Sequence, residues 1–238
     1  MSIVDIPSNI TKYTDAPNTK NQNNIVSPNQ IVCWPKVKLG DYVYRLSTQL
    51  AGLMMTVDYN NNDVPKESPS NKQLKIDGVV TGTKASYKSV ALDLDQANYL
   101  NENGIVTAFN FANGWTAWGN RTAAYPANTD PKDAFIPAKR LVQHYDNSFI
   151  LTHWVDIDKP TTKRLVDSIV DSRNEFYNGE VAKENLLSGR IEFISDENQI
   201  TDLLNGVLSF HNYITPPLPA EQIISKIEID TDGYNKLF

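Results

Sequence analysis

The sequence predicts a mixed α/β fold in which a mixed β-sheet is flanked by helices. Short apolar runs bounded by Gly, Pro and Asn clusters recur as strand candidates along the whole chain. Residues 137–154 and 161–178 instead carry their apolar side chains at helical spacing. The 238 residues are 40% hydrophobic and 21% charged, enough for a packed core in one large domain or two small ones.

Met1 leads directly into a strand-like run, Ser2-Ile3-Val4-Asp5-Ile6, an odd start for a complete domain, so the chain is expected to be a fragment of a longer protein. Residues 8–29 are rich in Asn, Thr, Lys, Pro and Ser and read as a surface loop. Ile31, Val32, Cys33 and Trp34 form a short buried strand that Pro35 closes, because proline cannot donate to a ladder. Residues 47–59 place Leu50, Leu53, Met54 and Val57 on one helical face, and the polar run 60–69 ends that helix. Residues 78–84 read as a mobile Gly/Thr loop. Asp93 or Asp95 caps a short helix carrying Ala97, Tyr99 and Leu100 that stops before Gly104.

Two strands, 105–111 and 115–123, are joined across Asn113-Gly114, a dipeptide suited to a tight hairpin turn. The helix at 137–154 presents Leu141, Val142, Tyr145 and Phe149, with Pro137 tolerated in its first turn. The helix at 161–178 presents Leu165, Val166, Ile169, Val170, Phe176 and Tyr177, with Thr161 as its cap and Gly179 just past its end. Lys163, Arg164, Asp167, Asp171 and Arg173 fall mostly on its other side. Strands follow at 190–194 and 206–215, with a helical turn at 199–204 between them. Pro216-Pro217-Leu218-Pro219 is a stiff spacer, and residues 223–229 form a last strand in which Ile223, Ser225, Ile227 and Ile229 share a face.

The net charge of −6 and the absence of any Lys/Arg-rich run remove the electrostatic footprint of a nucleic-acid or anionic-membrane binder. No apolar stretch approaches the ~20 residues of a membrane span, and the only cysteine, Cys33, has no internal disulfide partner. The run from Asp58 and the run from Asp93 both lack the Gly and Glu that a calcium loop needs at its sixth and twelfth positions. Gly78 to Lys84 is one residue short of a phosphate loop, and no Gly-x-Ser-x-Gly elbow occurs. His144 and His153 lie on opposite sides of one helix and His211 on a strand, so no metal set forms. No catalytic, cofactor or metal residues are expected. Phe111, Trp115, Trp118 and Tyr125 offer rings for stacking on sugars, which makes a carbohydrate-binding or adhesion module the alternative function, with core packing the stronger reading of those rings.

Gly114-Trp115-Thr116-Ala117-Trp118-Gly119-Asn120-Arg121-Thr122 resembles the Gly-x-x-x-Trp-Gly-Asn/Ala-Arg-Thr signature of contractile tail sheath proteins. Asn103-Gly104-Ile105, the stretch from Asp130-Pro131 to Arg140, Pro217-Leu218-Pro219-Ala220-Glu221, Val4-Asp5-Ile6-Pro7 and Val32 to Val37 are similar to sheath segments in the same order. The resemblance covers nearly the whole chain and implies the C-terminal part of a sheath protein. Residues 1–30 would be a remnant of upstream core with a surface loop, 31–215 the core domain, and 216–238 a linker and donor-strand arm. It implies a structural subunit, not an enzyme, that polymerises helically around an inner tube and contracts to drive that tube through a cell envelope. Ile223, Ile224, Ile227 and Ile229 would be exchanged with a neighbouring subunit by β-augmentation. Lys163, Arg164, Asp167 and Asp171, or the turn at 197–202, are the expected tube contacts. Other sheath subunits, the tube protein, and baseplate and terminator proteins are the implied partners, with no nucleic acid and no membrane. The implied place is the tail of a virion or phage-tail-like particle assembled in the bacterial cytoplasm. The family's other donor strand, an N-terminal arm, is missing from this sequence, so the chain alone is expected not to form regular sheaths.

Overall fold

A computed structural model of the protein describes residues 1–84, 86–111, 114–232 and 234. In chain order the elements are β1 (Ser2–Asp5), α1 (Ala16–Gln22), β2 (Gln30–Cys33), β3 (Lys36–Leu39), β4 (Tyr42–Tyr44), α2 (Leu46–Asn60), β5 (Gly78–Thr81), β6 (Lys88–Val90), α3 (Leu94–Glu102), β7 (Ile105–Phe111), β8 (Gly114–Trp118), α4 (Pro131–Ala134), α5 (Ile136–His153), α6 (Lys163–Ala182), β9 (Ser188–Glu192), α7 (Ile200–Leu204) and β10 (His211–Thr215).

The unbroken apolar run at 31–34 identifies a strand covered on both faces, since one solvated face would demand alternation. Ile31 and Cys33 face Leu46, Leu50 and Met54 of α2 and Val37 and Val79 of a second sheet. Val32 and Trp34 face the other way, toward Ile6, Ala16 of α1 and Leu100 of α3. Among the described residues β2 sits inside a four-stranded mixed sheet ordered β1-β2-β7-β8. It runs parallel to β1 (Val4↔Val32) and to β7 (Val32↔Ile105), and β7 pairs antiparallel with β8 (Phe109↔Thr116). The outer side of β8 is occupied: Asn71 and Leu74 donate backbone N–H groups to Ala117 and Trp115 at 2.7 and 2.9 Å. The second sheet, ordered β4-β3-β5-β6, is antiparallel throughout. The β9–β10 hairpin closes a third cluster of Leu141, Tyr145, Tyr177, Leu186 and Ile191 under α5 and α6.

Several expectations are corrected. Residues 8–29 contain α1 rather than a plain surface loop: Pro17 sits in its first turn, where the missing N–H costs nothing, and Ala16 and Lys20 are buried. The Lys20 ammonium donates to the carbonyls of Asn103, Ala123 and Tyr125 at 2.5, 3.0 and 2.8 Å, while burial pushes its pKa down to about 8. The Gly/Thr loop begins instead as strand β5, with Val79 and Val80 in the core. The strand expected at 115–123 ends at Trp118, and the Asn113 turn lies outside the described residues. α6 runs past Gly179 to Ala182, with Thr162 rather than Thr161 as its cap, its hydroxyl accepting from the Leu165 N–H at 3.2 Å. The strands expected at 190–194 and 206–215 occupy Ser188–Glu192 and His211–Thr215.

Arg173 is the largest reversal, because it is 3% exposed rather than solvated. It stands four residues from Ile169 and from Tyr177, on the apolar stripe itself. Its guanidinium donates to the Tyr145 carbonyl at 2.6 Å and the Ser148 hydroxyl at 3.2 Å, and lies 4.6 Å from the rings of Phe176 and Tyr177. Glu180, two turns on, accepts from Tyr145, Asn185 and Lys183 at 2.9, 2.9 and 3.0 Å. Burial alone would raise its carboxyl, but those three donors outweigh it and hold the pKa below the usual range.

Candidate functional site

The segment 114–122 is a hub whose residues are held by several elements, α3 above all. Trp115 packs against the core between the two sheets. Trp118 donates its indole N–H to the Asn98 side chain of α3 at 2.9 Å and meets Phe109 edge-on at 5.1 Å. Gly119 has φ +128°, and an added Cβ would stand 3.0 Å from Val106 Cα, so this crossing from β8 over β7 is open to glycine alone. Its N–H donates to Ser70 Oγ at 3.0 Å, and the Asn120 N–H to the Asn101 side chain at 3.0 Å. Thr122 is fully buried and donates its hydroxyl to the Asp133 carbonyl at 2.6 Å. α3 is therefore the splint of the hub. Its own start is fixed by the Asp93 capping box, in which the Gln96 N–H donates to Asp93 at 2.8 Å.

Arg121 faces outward from this hub. Its guanidinium lies 3.9 Å from the Phe135 ring and 4.3 Å from the Tyr125 ring, and donates through Nε and Nη2 to the two carboxylate oxygens of Glu221 at 3.0 and 2.5 Å. Three of the rings considered for sugar stacking are engaged within the chain, Tyr125 by Arg121 and Trp115 and Trp118 by packing, whereas Phe111 is 61% exposed beside Phe109.

Beyond β10 the chain pairs with no strand among the described residues. Ile223, Ile224, Ile227 and Ile229 are 91%, 70%, 90% and 83% exposed. Four large aliphatic side chains in water within seven positions form a surface that single exposed residues do not. Lys163, Arg164, Asp167 and Asp171 are exposed on α6, on the side away from Ile169, Arg173 and Tyr177.

Among the described residues no group of three or more His, Cys, Asp or Glu side chains could hold a metal, and no helix is long and apolar enough to cross a membrane. Asp58 is engaged by Arg140, which ties α5 to α2. Cys33 is buried, and desolvation with the nearby Asp5 carboxylate raises its thiol well above the usual range, against nucleophilic use. Asp5 itself accepts from the Ser47 N–H and hydroxyl at 3.0 and 2.5 Å, stabilising the α2 N-terminus from β1. His153 pairs with Asp156 and His211 with Glu197, at 2.9 and 3.0 Å.

Comparison with known proteins gives one consistent result. The chain is 31% identical over 209 residues, 84% of its length and 43% of the relative's, to the tail sheath protein of Burkholderia phage BcepMu. It is 30% identical over 177 residues, 72% of its length and 42% of the relative's, to that of Escherichia phage P2. The chain thus spans less than half the length of the curated relatives it matches. Among solved structures it matches the contracted sheath complex of an extracellular contractile injection system, PVC, with a TM-score of 0.79 over 97% of this chain and 64% of that one, at 18% identity. It matches a chain of the anti-feeding prophage baseplate with a TM-score of 0.76 over 96% and 60%, also at 18% identity. No family model matches the chain. Two related sequences and a shared fold place this chain in the tail sheath protein family.

Proposed function

We propose that the chain acts as a structural subunit of a contractile tail sheath, polymerising helically around an inner tail tube and contracting to drive the tube through a cell envelope, with no enzymatic step. The observation that carries this reading is the exposed isoleucine segment 223–229, which has no strand partner among the described residues. In a sheath it becomes an added strand on a neighbouring subunit's sheet edge, where main-chain hydrogen bonds bind it and alternate side chains select it. In this reading residues 31–215 form the body and 216–238 the arm. Ordering seven residues costs roughly 7–14 kcal/mol, and burying four isoleucines returns roughly 6–12 kcal/mol. One arm alone is therefore close to neutral. Sheath stability then comes from many such arms together with the packed faces between subunits. That balance suits subunits that must stay joined while those faces re-register between two states.

The partners that follow are other sheath subunits, the tube protein, and baseplate and terminator proteins. The exposed α6 face of Lys163, Arg164, Asp167 and Asp171 is our candidate for the tube side. The site of action is the tail of a virion or phage-tail-like particle assembled in the bacterial cytoplasm. Parent particles labelled with a gold-conjugated antibody against this chain are expected to be decorated along the whole tail sleeve in electron micrographs. Decoration confined to fibres or baseplate would overturn the reading.

A further inference from the structure

Two segments that the sequence holds 100 positions apart meet at Arg121 and Glu221. One is the signature hub, and the other is the root of the C-terminal segment. The contact is a two-point fork, with each carboxylate oxygen facing its own guanidinium N–H, a geometry that fixes direction as well as distance. Arg121 is itself held against the Tyr125 and Phe135 rings, and its backbone bridges to Phe135. The next residue, Thr122, is locked to the carbonyls of Asp133 and Ala134. Few surface arginines are so restrained, and its side chain is only 13% exposed. On the other partner's side, Pro216, Pro217 and Pro219 are half-buried, whereas every described residue from Glu221 onward is exposed. Glu221 marks the change from attached to free chain.

We propose that the Arg121–Glu221 pair is a clasp that fixes the root of the C-terminal arm and sets the direction in which residues 222–232 leave the body. This rests on reading the arm as a donated strand. It adds that the arm is aimed, and that Arg121 of the signature does the aiming. Ile223 lies two residues past the clasp, so it reaches no more than about 7 Å from Glu221. A receiving sheet edge must therefore approach the face formed by Asn98, Glu102 and Tyr125 beside the clasp. Anchoring the root also removes conformations that a free tail would have to surrender on binding.

The test is made on the whole chain in solution, with spin labels on Asp95→Cys and Ser225→Cys; Cys33, fully buried, does not compete for label. The distance distribution between the labels is expected to broaden at least twofold in Glu221→Ala. Glu221 is an exposed side chain, so its removal does not endanger folding. Arg121→Gln, checked for folding by circular dichroism, is expected to broaden it equally. An unchanged width in Glu221→Ala would overturn the clasp. The donated-strand reading fails by a different result, normal sheath assembly with lysines at Ile223 and Ile227, which leaves this solution measurement untouched.

Discussion

Lysine at both Ile223 and Ile227 is expected to leave the chain folded and to abolish its incorporation into sheaths. In the single chain the two side chains are 91% and 90% exposed, and substitutions at such positions move stability by no more than about 0.5 kcal/mol. In an added strand they lie on one face, two positions either side of Ser225. Each lysine there forfeits roughly 1.5–3 kcal/mol of burial and places an unpaired ammonium against an apolar sheet edge. Since one arm is close to neutral, a loss of about 4 kcal/mol per contact, a factor of about 1000 in affinity, repeats at every subunit of the polymer. Thermal melts of the chain and electron microscopy of particles assembled with the variant check the two halves: an unchanged melting curve, and tubes without sheaths. Sheaths of normal length would remove segment 223–229 from the assembly interface.

Gly104→Ala is expected to be the most destabilising conservative change in the body. Gly104 has φ +67°, where an L side chain costs roughly 1–2 kcal/mol. The added Cβ would also stand 2.4 Å from the Thr122 carbonyl oxygen and 2.7 Å from that of Tyr125. These are backbone atoms of the hub, and the Tyr125 carbonyl also accepts from the buried Lys20 ammonium. Relief requires moving α3 away from the signature segment. A loss of about 3 kcal/mol or more follows, or a fall of roughly 6–12 °C in melting temperature for a chain of this size. Gly52→Ala in α2, where the added atom meets nothing within 4 Å, is the control, expected to be neutral or stabilising by up to about 1 kcal/mol. Equal melting of the two variants would contradict the hub as a rigid joint.

The sequence carried the elements whose local chemistry agrees with their tertiary place. The unbroken run at 31–34, the Asp93 cap, the paired strands of β7 and β8 and the stripes of α5 and α6 were legible because burial and periodicity pointed the same way. α1 was not, because its Asn, Thr and Lys content favours loops locally, and only the packing of Ala16 and the three carbonyls around Lys20 hold it helical. Arg173 was misplaced because a charge on a helix reads as solvated, and Glu180 lay past the expected end of that helix. The signal that would have found Arg173 is its four-residue spacing from Ile169 and Tyr177. β3 and β4, three or four residues each, are too short for alternation to register. At the candidate site the run 114–122 stood out as a pattern, but the contacts of its residues did not. Spacing alone does not show that Trp118 is bonded to α3, that Gly119 crosses β7, or that Arg121 reaches a glutamate 100 positions away.

The fate of residues 223–229 in the assembled particle decides the central claim most directly. A cryo-electron microscopy reconstruction of the sheath, at a resolution that traces the main chain, is expected to show this segment as an added strand in a neighbouring subunit's sheet, leaving its own body at the Arg121–Glu221 pair. A segment folded back onto a sheet of its own chain, or lying outside every sheet, would contradict it.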